Sequence, residues 1–267
     1  MPRQATKHKL SWRKWANVIA YLFVMFVSVL GASLQFNNTS IGYVAARYNP
    51  YFFLKTYSII IYGVLIYISL LAFIIYQLFP ETLHDKEIRK VDVPFWVWAI
   101  ATIVWNFGFY YDVQWLAFVF QIVALGALIS LYIRLGVGVT RVSKKTYWLV
   151  FFPFALLTAI NFFFMLMQFN VFCIRYDWMW WGMNQTEWVV VWMLVLSFVG
   201  ACFMNRRPDM IFGVTFVWGF VGVAFHSGMF SSAVATAAEL MALFFAIVTY
   251  ATCFHCPKLD NKGGRRK

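Results

Sequence analysis

Apolar runs of about twenty residues recur along the whole chain, separated only by short polar breaks. A hydrocarbon core of about 30 Å is crossed by roughly 20 helical residues, so each run is of spanning length. Within lipid the backbone must satisfy its own hydrogen bonds, which leaves helices or a closed barrel. Barrel strands would alternate polar and apolar residues, whereas these runs are continuous, so helices are expected. Charged residues make up only 12% of the chain, against about 25% in soluble domains. The fold class expected is therefore all-α, a polytopic transmembrane helical bundle with nothing left over for a soluble domain.

Eight spans are read, at about 15–36, 53–79, 94–110, 113–134, 146–169, 187–204, 209–226 and 230–254, the third and seventh being shortest. The first, with "VIAYLFVMFVSVLGASLQF", is long for a signal h-region and lacks a clear small-residue cleavage site, so it is expected to stay as an anchor. The expected organisation is a basic tail at 1–14, a membrane domain at 15–254 and a second basic tail at 255–267. An even number of spans puts both termini on one face. That face collects nearly all the basic residues, from Arg3, Lys7 and Lys9 through Arg89, Lys90, Arg141 and Arg206 to Arg265 and Arg266. Only Arg47, Lys55 and Arg175 fall opposite. The positive-inside rule makes the crowded face, and both termini, cytoplasmic. The sequons at Asn37, Asn38 and Asn184 fall in the two longer loops on the other face, in agreement.

Topology together with attraction to anionic head groups accounts for the net charge of +12, so nucleic acid is not an expected partner. The cysteines do not form a metal set: Cys253 and Cys256 in "CFHC" have no second pair to complete a zinc site. Cys173 is expected in an outer loop and Cys202 at an inner helix end. His226, closing the seventh span beside "SG", is expected to be a hairpin residue that reaches water.

Polar groups within spans are the best guide to an internal site, because each must find a partner in hydrocarbon. They include Gln35, Thr102, Asn106, Gln114, Gln121, Thr158, Asn161, Gln168 and Thr215, together with one acid, Glu239, in "VATAAELMALFFAIVTY". Ser231, Ala235, Ala238 and Ala242 form a small-residue stripe near Glu239, from which the acid is expected to face protein. Its role is open between fixing a helix contact and serving a cavity. Of thirteen tryptophans, those at span ends, such as Trp12, Trp15, Trp148, Trp178 and Trp188, fit the interfacial belt. Trp105 and Trp218 lie deeper, where several rings around one cavity would offer a flat platform.

The blocks "GVLIYISLLAFIIYQL" (63–78), "WNFGFYYDVQWLAFVFQIVALGALISLYIRLG" (105–136) and "NRRPDMIFGVTFVWGFVGVAF" (205–225) resemble, in order and spacing, the longer members of the TspO/translocator family of tryptophan-rich sensory proteins. Of that family's third-helix pattern, Trp105 and Phe109 match, whereas Thr102 and Asn106 stand where Asn and Ser are usual. The resemblance implies a bundle that binds hydrophobic, often planar molecules of the tetrapyrrole or sterol class in an aromatic pocket. Trp105, Asn106, Phe109, Asn161, Trp218 and Glu239 are the candidate lining residues. A sterol-type pattern, Leu128-x-x-x-Tyr132-x-Arg134, also occurs. Two other readings stay open: a transporter or channel with Glu239 as a titratable midplane site, and an accessory subunit or homo-oligomer contacting other membrane proteins. Without a HExxH motif or a Ser/His/Asp grouping at membrane depth, an enzyme is not expected.

Overall fold

The structure, a computed structural model, describes residues 12–34, 36–79, 82, 86–179 and 182–253. Gln35, Trp180, Trp181, residues 1–11 of the first basic tail and the whole of the second lie outside the described residues. The helices in chain order are α1 (Trp12–Leu34), α2 (Ile41–Tyr48), α3 (Thr56–Leu78), α4 (Lys86–Tyr110), α5 (Gln114–Leu135), α6 (Lys144–Thr146), α7 (Phe152–Arg175), α8 (Gln185–Arg206), α9 (Met210–Ser227) and α10 (Ser232–Cys253). A π-helical turn, Tyr147–Phe151, joins α6 to α7, and Pro153 follows it where a proline's missing N–H costs nothing. Eight of these segments are long and apolar enough to cross a membrane, with α6, the π turn and α7 forming one of them. Among the described residues there is no strand.

The third span is longer than expected. It begins at Lys86 rather than near 94, because Pro94 lies within the helix and the turn before it carries Glu87, a favourable charge at a helix start. Between the first two spans lies α2, a short helix on the outer face that the hydropathy pattern does not mark.

Buried area identifies α7 as the central post. Some 78% of its span is buried, against a third to three-fifths in the others. On one side α1, α3, α4 and α5 wrap around it, and on the other α9 carries α10 and α8. A ladder of phenyl rings locks α7 to α9: Phe163 meets Phe216 and Phe220 edge-on with centroids 5.0 and 5.1 Å apart, and Phe245 of α10 stacks beyond. Gly219 makes this approach feasible, since a Cβ there would come within 2.4 Å of the Phe163 ring.

Polar clusters close both ends of the α1–α7 half. On the basic face, Asn17 donates to Gln77 Oε1 at 2.9 Å and Asp92 Oδ1 at 3.0 Å, and accepts from Trp96 Nε1 at 2.6 Å. Buried Lys14 donates to the Gln77 carbonyl and to Thr82, so α1, α3 and α4 are tied at this level. On the opposite face Asp112, in left-handed backbone between α4 and α5, accepts from Tyr48 Oη and pairs with Arg47 at 2.9 Å and Arg175 at 3.7 Å. Burial, then the hydrogen bond to Asp112, pushes the Tyr48 phenol up to about 12, so it stays a donor.

Several expectations are corrected. Cys173 is buried within α7, not in a loop, because α7 runs on to Arg175. Trp188 is 5% exposed and packs against Phe169 instead of lying in the interfacial belt. His226 does not reach water: it is buried between Phe53 and Phe230, with Nε2 3.2 Å from the Pro50 carbonyl. The sterol-type pattern faces inward, with Leu128 and Tyr132 fully buried and Tyr132 donating to Asp209 at 2.8 Å.

Candidate functional site: a cavity between α1, α3, α4, α5 and α7

Between the five helices of that half lies a cavity of about 410 Å³, within the range of small-molecule sites, about 300–1,000 Å³. One wall is aromatic. Trp105 of α4 stacks on Phe109 one turn later, centroids 5.3 Å apart, and on Phe164 of α7 with planes 16° apart. The indole is held by a relay: Trp105 Nε1 donates to Gln168 Oε1 at 3.1 Å, and Gln168 Nε2 donates to Gln114 Oε1 at 2.9 Å. Because Gln168 and Gln114 are fully buried, this chain fixes the ring's edge, and the indole takes part in the cavity lining.

The polar part of the lining comes from amides and hydroxyls. Gln121 of α5 donates to Asn161 Oδ1 at 3.1 Å, and Asn161 returns its own amide N–H to the Leu157 carbonyl at 2.8 Å. Asn106 donates to the Thr102 carbonyl at 2.8 Å and approaches Ser28 of α1 at 3.4 Å. Tyr67 of α3 completes the lining, its hydroxyl bonded to Ser28. Lys, Arg, His, Asp and Glu contribute nothing to this wall.

Four of the six candidate residues, Trp105, Asn106, Phe109 and Asn161, therefore meet in one cavity. The other two do not. Trp218 lies on the outside of α9, 40% exposed, against Tyr62 of α3. Glu239 is also exposed, on α10, and points away from the bundle interior. The stripe was read correctly, since Ala235, Ala238 and Ala242 are buried, but Glu239 lies one residue beyond Ala238, about 100° further round the helix. It lies seven residues into α10, about 10 Å from the outer end and about 5 Å short of the helix midpoint, on the outer side of it. Among the described residues Glu239 makes no hydrogen bond or ion pair.

Ser28, Tyr67 and Phe164 line the cavity without having been marked in the sequence. Ser28 in "FVSVL" was the available signal, a hydroxyl within the first span. Phe164 had none, being one ring in a run of three. A second crevice of about 310 Å³ lies between α5, α7 and α8 and is lined by apolar side chains and the Trp192 indole.

Eight spanning helices around a central post, with a hydrophobic cavity inside the lipid-embedded region, define an integral, multi-pass membrane protein. The chain belongs to the TSPO-like protein family, whose pattern matches residues 14–251 and so covers every span. Among curated proteins and among solved structures nothing matches the chain.

Proposed function

We propose that the protein binds a hydrophobic molecule with a flat face, of the tetrapyrrole or sterol class, as a membrane-embedded binder or sensor, with no bond made or broken. The observation that carries the reading is the aromatic wall at Trp105: a ring stacked on two phenyl rings, with its N–H engaged in a buried relay, lining a cavity whose wall also carries amides. The apolar wall supplies most of the affinity and the amides Gln121, Asn161 and Asn106 fix orientation. Family membership supports the same direction. The test is a titration of detergent-solubilised protein with a porphyrin and, separately, a sterol, read by tryptophan fluorescence. Saturable quenching or energy transfer that is reduced at least tenfold in affinity by Trp105→Ala supports the reading, and its absence for both ligands removes it.

One observation favours a second reading, a contact with another membrane protein. Glu239 and Thr236 lie on the exposed side of α10, where a partner helix would satisfy the acid. Loss of a co-purifying subunit or a second copy in Glu239→Leu would support this, and unchanged assembly would remove it.

A further inference from the structure

The cavity is unequally closed. Toward the outer aqueous face it is capped by rings: Phe36 stacks on Phe107 at 5.9 Å and meets Tyr110 edge-on at 5.9 Å, and above them Asp112 draws together Tyr48, Arg47 and Arg175. Toward the basic face its lining stops at Tyr67, Trp98 and Leu157, below which the rings of Phe73, Phe95 and Phe154 pack on one another. The remaining side lies between α1 and α3. Here three lining residues also form the outside of the bundle: Val29 is 53% exposed, Ile60 60% and Val64 55%.

The two helices are joined in their inner halves, where Tyr21 Oη donates to the Tyr67 carbonyl at 3.0 Å and Lys14 and Asn17 reach Gln77. Val29 lies five residues from the outer end of α1, and Ile60 and Val64 lie four and eight residues from that of α3, so the open stretch is about 6–12 Å below those ends. That is the depth of the outer leaflet.

We infer that the cavity fills from the outer leaflet through a mouth between α1 and α3, and that it selects an uncharged amphiphile with a hydroxyl or carbonyl over an anionic one. The route follows from the open side. The selection follows from the wall, since among the described residues its polar groups are amides, hydroxyls and the indoles of Trp98 and Trp105, with no charged side chain. Gln121, Asn161, Asn106 and Tyr67 can exchange hydrogen bonds with a neutral polar head, whereas a carboxylate drawn from lipid would meet no cation and stay expensively desolvated. The inference rests on the binding reading above and narrows it to the sterol-like end.

The experiment uses the full chain in phospholipid nanodiscs with two probes: dehydroergosterol, a fluorescent neutral sterol, and protoporphyrin IX, a dicarboxylate. Energy transfer from tryptophan gives affinity and, in stopped-flow mixing with donor vesicles, association rate. Val29→Phe and Val64→Phe enlarge lipid-facing side chains, so both variants are expected to fold. Either should slow sterol association at least fivefold, and Gln121→Leu should weaken affinity at least fivefold. The sterol should bind at least tenfold more tightly than the porphyrin. Equal or tighter porphyrin binding that is lost in Trp105→Ala would overturn the charge selection while leaving the binding reading standing. Unchanged sterol association in both mouth variants would overturn the route. Absence of binding by either probe would remove the binding reading and this inference with it.

Discussion

At the scale of single residues, the site depends on polar side chains whose partners sit on other helices. Removing the middle of the Trp105 relay with Gln168→Leu strands both the indole N–H and the Gln114 carbonyl oxygen in a water-free interior. A stranded buried group costs about 1–3 kcal/mol in soluble proteins, and bilayer measurements are lower, averaging about 0.6 kcal/mol per bond. The expected result is a loss of about 1–2 kcal/mol in unfolding stability in detergent, with a red-shifted or broadened Trp105 emission. Asp209 provides a pH test. It caps α9 through Ile211 N–H at 3.0 Å and accepts from Tyr132, and burial, the largest influence, raises its pKa above the ordinary 3.8. A raised folded pKa favours folding below the unfolded value and loses that contribution as pH rises through the folded one. The melting temperature of Asp209→Asn relative to the native chain should therefore rise between pH 4 and pH 7. A pH-independent difference would contradict this account of Asp209.

Elements show which parts of the site could be read in advance. Trp105, Asn106 and Phe109 share one face of α4, and their convergence follows from helical spacing alone. Asn161 also lines the cavity, because a buried amide in the central helix needs a polar partner and finds it in Gln121. Trp218 misled because depth in a span says nothing about which way a ring faces, and the exposed side of α9 accepts tryptophan equally well. Glu239 differs for a geometric reason: it lies about 40° outside the edge of the stripe at Ala235 and about 100° from its middle at Ala238, which is enough to bring it to the surface. Replacing either Trp218 by Ala or Glu239 by Gln should leave ligand affinity within twofold of native. At the α4–α5 crossing, Gly108 lies where a Cβ would stand 2.8 Å from the Ala117 backbone nitrogen. Gly108→Val must separate these helices at the foot of the aromatic wall. Overpacking of this kind costs about 1–3 kcal/mol, visible as a lowered melting temperature, and should weaken binding at the same time.

For the whole molecule, hydropathy and charge carried most of the architecture. The positions of all eight spans were legible because lipid leaves the backbone no alternative to helices. The division into two halves around α7 was not, because a bundle's packing order depends on which apolar faces meet, and hydropathy does not encode it. The same division explains where the cavity lies: it is enclosed by α7 and the four helices on one side, while a phenyl ladder fills the α7–α9 seam on the other.

The central claim is that this space receives a ligand against Trp105. Electron cryo-microscopy of the full chain in nanodiscs saturated with dehydroergosterol tests it most directly. The account predicts non-protein density between Trp105, Phe164, Gln121 and Asn161, with its polar end within hydrogen-bond distance of an amide. Side chains occupying that space, with ligand density only on the outer surface of the bundle, would contradict it.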